Sequence, residues 1–152
     1  MNQMPVAVAA RGFREKVQAQ IGSLLYCEWS QSEAGHSGIY LGDDSIMHWG
    51  VDKKIAVVGL EDFIKTEHEQ ATLEDTPIYV SCKGKQAIGS LFAVAVAHDK
   101  LHANEDLLLH SSHQFTSACY TGNFNNQDHV FAMVKDATKF RLGWDNWRMW
   151  RL

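Results

Sequence analysis

Apolar residues Val8, Phe13, Val17 and Ile21 recur every three to five positions among Arg, Lys, Glu and Gln, which predicts a short amphipathic helix over 5–21 closed by Gly22. Beyond Gly22 the pattern shortens. Ser23 to Trp29 (SLLYCEW) and Gly38 to Leu41 (GIYL) are brief apolar and aromatic runs separated by a polar stretch with Gly35, and they predict two neighbouring strands. Gly42-Asp43-Asp44-Ser45 has the composition of a hairpin loop, Ile46 to Trp49 (IMHW) reads as the returning strand, and Lys54 to Val58 as one more. Leu60 to Thr66 predicts one or two helical turns and Pro77 to Cys82 a strand.

From Lys85 to His98 the run is apolar on nearly every side and longer than a typical strand, so a buried helix is expected there, with Gly89 as its weak point. A second helix is predicted from about Ser111 to Tyr120, capped by Ser111 or Ser112 and closed by Gly122. Val130 to Val134 reads as the last strand. In the tail, Trp144, Trp147 and Trp150 stand at i, i+3, i+6 with Arg141, Arg148 and Arg151 among them, the spacing of an aromatic stripe with cationic flanks. Burial against the domain is the first reading of that stripe, and contact with a lipid surface is the second. No repeat, low-complexity segment or linker divides the chain, so one domain over 1–152 is expected. Its class is α+β, an antiparallel sheet covered by helices.

Composition narrows the function classes. The 152 residues are 45% hydrophobic and 21% charged with a formal charge of −4, which supplies no broad basic field for nucleic acid. The longest apolar run is about half the roughly 20 residues that span a bilayer. The first residues lack the basic segment and extended apolar core of a secretory signal, and the three cysteines, Cys27, Cys82 and Cys119, show no CxxC spacing. A cytoplasmic protein with reduced cysteines and no cofactor is the expectation.

The hairpin places two histidines in one neighbourhood. If Tyr40 and Ile46 are cross-strand partners around the turn, His36 and His48 come to comparable heights, with roughly 5 Å between them if they face each other. Such a pair suits a nucleophile–base–orienter arrangement, one imidazole taking the proton and the other fixing it. A nucleophile at a helix N-terminus would gain from the helix dipole and free N–H groups. Ser112, at the predicted start of the second helix, holds that position. The bland alternatives are hydrogen-bonded hairpin histidines and a Ser that only caps its helix. A metal site using His36, His48, His110 or His113 lacks any HExxH-like spacing.

The stretch G-H-S-G-I-Y-L-G-D-D-S-I-M-H-W, Gly35 to Trp49, resembles the hairpin of the lecithin:retinol acyltransferase and H-Ras-like suppressor family, in which a His precedes IYVGD and a second His follows. D-L-L-L-H-S-S-H-Q-F-T-S-A-C-Y-T-G, Asp106 to Gly122, resembles that family's D-L-L-x-N-N-C-E-H-F-V-x-x-C-x-Y-G segment. Order and intervening distance agree, and the likeness covers roughly 22–122.

The resemblance implies a circularly permuted papain-like fold related to the NlpC-type peptidases. It further implies an acyl-enzyme whose acyl group passes to water, an amine or a lysophospholipid, from a small-molecule, lipid or peptidyl acyl substrate. By position, His36 matches the family's general base, His48 its orienting residue and Ser112 its Cys. Trp49, Tyr40 and His113 are expected to line the substrate cleft. Ser112 departs from the pattern, because a serine needs full general-base help where a thiol is readily ionised. Three readings of that departure stand: a Cys replaced to silence the enzyme, a natural pseudoenzyme and a natural serine variant. Amide or peptide hydrolysis, and acyl or peptide binding without catalysis, are the competing functions. Cys119, seven residues beyond Ser112, is roughly 10 Å along the helix and is assigned to packing.

Overall fold

The computed structural model describes residues 15–29, 32–103 and 106–152. Among them the chain runs β1 (Leu24–Trp29), β2 (Ser32–Gly42), β3 (Ser45–Trp49), β4 (Ile55–Val58), α1 (Leu60–Ile64), β5 (Tyr79–Lys83), β6 (Gln86–Ala87), α2 (Leu91–Ala103), α3 (Ser112–Thr121), α4 (Phe131–Leu142) and β7 (Asn146–Met149). Every strand pairing is antiparallel, in the order β4-β3-β2-β1-β5, with β6 and β7 both pairing β5. The class is thus α+β, an open antiparallel sheet packed against helices.

Alternation along each strand sends successive side chains to opposite faces, and here both faces are covered. Leu25, Cys27, Trp29, Tyr40, Ile46, Val80 and Cys82 join Phe63 and Ile64 of α1 in one core. Leu24, Ile39, Met47 and Trp49 join Ala93, Ala97, Phe115, Cys119, Tyr120, Phe131 and Val134 from α2, α3 and α4 in the other. The β2–β3 turn is tight because Asp43 and Asp44 take φ of 50° and 57°, the left-handed pair that a two-residue hairpin demands. Tyr40 pairs with Ile46, as the hairpin reading required, and Ile39 with Met47.

Four elements differ from the sequence reading. The N-terminal helix falls partly on 5–14, outside the described residues, and 15–21 is not helical. There Val17 bridges to Trp150, its N–H donating to the Met149 carbonyl at 3.0 Å and its carbonyl accepting from Arg151 N–H at 2.7 Å. The helix expected over 85–98 begins only at Leu91. Lys83 and Gln86 pair across a turn at Gly84, and the Ser90 hydroxyl accepts from Ala93 N–H at 3.1 Å to start the helix. Nor is α2 buried: Ala93 and Ala97 are its buried residues, while Leu91 is 74% exposed. A β-carbon on Gly89 would meet the Ile21 carbonyl at 2.3 Å, so this Gly is a point of backbone contact outside the helix.

Val130 to Val134, read as a strand, instead opens α4. Its buried residues Phe131, Val134 and Thr138 are spaced by three and four, a helical period that five residues are too few to display. The tryptophan tail forms no helical stripe: Trp147 lies in strand β7, with Trp144 before it and Trp150 after it. Trp150 is 5% exposed in the first core, edge-on to Tyr40, whereas Trp147 packs on Phe131 beside the second. Trp144 lies half-buried against Trp147 with Lys139 over its ring. The three rings therefore do not make one surface.

Candidate functional site

His36 and His48 share the first face of the sheet, with Tyr40 and Ile46 farther along the same strands. His36 Nε2 lies 2.7 Å from His48 Nδ1, with ring centroids 5.0 Å apart and planes at 89°. Phe63 of α1 packs beneath both rings, at 4.9 Å from His36 and 5.9 Å from His48, and Trp29 stands 6.1 Å from His36. The Trp29 indole N–H donates to the Ile64 carbonyl at 2.8 Å, which ties α1 to β1 under the pair. Only glycine fits at 38, since a β-carbon there would come within 2.9 Å of Ile46, Met47 and Phe63.

On the other face α3 runs up to β2. Ser111 is the N-cap, its hydroxyl accepting from Gln114 N–H at 3.2 Å, and Ser112 is the first helical residue. First-turn N–H groups have no intrahelical acceptor, so those of Ser112 and His113 form the positive end of the helix. Ser112 is 7% exposed, and its hydroxyl accepts from the Ser37 backbone N–H at 3.3 Å.

The two faces meet at an open cleft with a cavity volume of about 170 Å³. Its walls are His36, Trp49, Gly50, Val51, Lys53, Thr66, Glu67, His110, Ser111 and Ser112. His36 and Ser112 thus share one cavity, with Trp49 beside them. His48 lies behind His36 and does not line it. Tyr40 and His113, both expected in the cleft, are elsewhere. Tyr40 is 8% exposed, packed on Trp150, and its hydroxyl accepts from Asp44 N–H. His113 is 1% exposed on the second face near Tyr26 and Phe131.

His113 has a structural role that its chemistry fixes. Its Nε2 meets the Ala34 carbonyl, which only accepts, so Nε2 carries the proton and a neutral ring offers Nδ1 as an acceptor. The Ser37 hydroxyl at 2.8 Å then donates to Nδ1, and Thr116 Oγ1, 3.0 Å away, completes the chain. Ser37 therefore links α3 to β2 through its hydroxyl while its backbone N–H meets Ser112. Strand alternation could have found it: the neighbour of a first-face histidine must point to the second face.

Burial keeps the histidines neutral. It lowers His36 well below the ordinary imidazole value, with repulsion from His48 and His113 acting the same way. Burial likewise brings His48 down to about 4, against the opposing attraction of Asp52 and Asp62, and lowers His113. When a neutral His36 carries its proton on Nε2 and donates it to His48 Nδ1, its Nδ1 is the acceptor. Cys27 and Cys119 are buried with their thiols pushed far up, the opposite of what a nucleophile needs.

No family model, curated protein or solved structure matches this chain. Among the described residues, no helix is long and apolar enough to cross a membrane.

Proposed function

We propose that this domain is an acyl-transfer scaffold of the permuted papain-like class, with position 112 as the nucleophile, His36 as the general base and His48 as its orienting partner. The nucleophile's oxygen or sulfur attacks an acyl carbonyl while its proton passes to His36. The resulting oxyanion is held by first-turn N–H groups of α3. Collapse expels the leaving group, which takes the proton from His36, and leaves the acyl group on residue 112. Water or another acceptor, deprotonated by His36, then releases it. The observation that carries this reading is the 2.7 Å contact between His36 and His48 in a site where His36 and Ser112 line one cleft.

A non-catalytic reading is favoured by one fact. The Ser112 hydroxyl already accepts a hydrogen bond from Ser37 N–H, and a serine is a poorer nucleophile than the thiol that the resemblance implies at this position. Turnover of 4-nitrophenyl esters by the chain and by Ser112→Cys separates the two. Acyl transfer predicts that Ser112→Cys raises the rate at least tenfold and that adding His36→Ala removes the gain. Equal, background rates in all three proteins would leave the cleft as a binding site for an acyl or peptidyl ligand.

A further inference from the structure

Lys53 sits on the cleft wall in the turn between β3 and β4, with a backbone φ of 61°. Among the described residues, the other non-glycine residues at positive φ are Asp43 and Asp44, whose short polar side chains tolerate that region. Lysine has no such compensation, and Gly or Asn would serve the turn better. The turn is nonetheless held by hydrogen bonds. Lys53 N–H donates to the Gly50 carbonyl at 3.0 Å, Gly50 N–H to the Lys54 carbonyl at 3.0 Å, and Lys54 N–H to Asp52 Oδ1 at 3.2 Å. A strained residue held at the edge of a site points to a use for its side chain.

No carboxylate among the described residues lies within ion-pair distance of the Lys53 ammonium, although Glu67 lines the same cleft. Trp49 and Val51 are the large apolar groups of the wall, beside Lys53, Thr66, Glu67, His110, Ser111 and Ser112. That lining suits a polar substrate better than a bare hydrocarbon chain. We infer that Lys53 is a specificity residue, and that the acyl compound taken by this cleft carries an anionic group, a carboxylate or a phosphate, which the Lys53 ammonium holds while the acyl carbonyl lies near residue 112. The inference rests on the acyl-transfer reading only for the second half of that statement.

Two measurements test the halves separately. In calorimetry with the unaltered chain, phenylphosphonate and benzoate are titrated in turn; Lys53 predicts binding of at least one that falls roughly tenfold in Lys53→Gly and weakens with added salt. Because glycine relieves the positive φ, Lys53→Gly should melt no lower than the parent, so lost binding is not lost folding. On Ser112→Cys, kcat/KM is compared for 4-nitrophenyl benzoate and its para-carboxylate and para-phosphonate derivatives. A roughly tenfold preference for one anionic ester, abolished by Lys53→Gly and reversed by Lys53→Glu, supports the assignment and tells carboxylate from phosphate. Anion binding that is absent or indifferent to Lys53 overturns it. Lys53-dependent binding without turnover of any ester upholds the anion site and overturns the acyl-transfer reading instead.

Discussion

His36 Nε2 and His48 Nδ1 are 2.7 Å apart in a pair that is 2% and 4% exposed, so a single proton must be shared between two buried nitrogens. With that proton on His36 Nε2, His48 is the acceptor and His36 keeps a bare Nδ1 for a nucleophile. His48→Phe removes the acceptor and strands a buried N–H, which costs about 1–3 kcal/mol of stability. Activity in the Ser112→Cys background should fall by roughly 10- to 100-fold, while His48→Asn, which keeps an acceptor, retains more of both. Urea melts and ester turnover check the two effects.

Stability should depend on pH in one direction. His36, His48 and His113 all have folded pKa values below the unfolded value of about 6.5, so the unfolded chain binds more protons in that range. The contribution of the neutral buried rings is complete above pH 6.5. It is lost as pH falls, down to about 4 for His48, whose share is of the order of 3 kcal/mol. The urea midpoint should therefore be markedly lower at pH 5 than at pH 7.5, and His113→Gln should flatten part of the difference.

Gly38 gives a steric test of how the pair is packed. Gly38→Ala puts a methyl within 2.9 Å of Ile46 Cγ2, the Met47 carbonyl and Phe63 Cε1, and two of these are in the core beneath the histidines. Overpacking of this kind costs about 1–3 kcal/mol. Thermal melts should register that loss, and displacement of Phe63 should shift the NMR signals of both rings.

Replacing Ser112 by Cys should change the charge state of His36, which lines the same cleft. A thiolate beside His36 favours the imidazolium, whereas a serine hydroxyl supplies no such anion. NMR titration should show the His36 pKa moving upward in Ser112→Cys and returning in Ser112→Ala. An unchanged value in Ser112→Cys would separate residue 112 from His36 electrostatically.

The hairpin was legible because its signals are local. Two Asp residues at the turn and apolar positions in alternation fix the Tyr40–Ile46 register, and that register brings His36 and His48 together. The start of α3 was legible from Ser111 and its end from Gly122. The rest depends on distant partners. Val17 is extended because Trp150, far away in the chain, pairs with it, and nothing near Val17 encodes that. For α4, a window of five apolar-rich residues carried no period, and only Thr138 completes it. His113 was misplaced because a helix's second residue can face either the cleft or the sheet, and Ser37, on β2, decides it.

The most direct test of position 112 is intact-protein and peptide mass spectrometry of Ser112→Cys after brief exposure to a 4-nitrophenyl ester. An added acyl mass located on residue 112, absent when His36 is Ala, is the predicted result. Acylation confined to other residues, or an adduct at 112 that forms equally well without His36, would contradict the roles given to both.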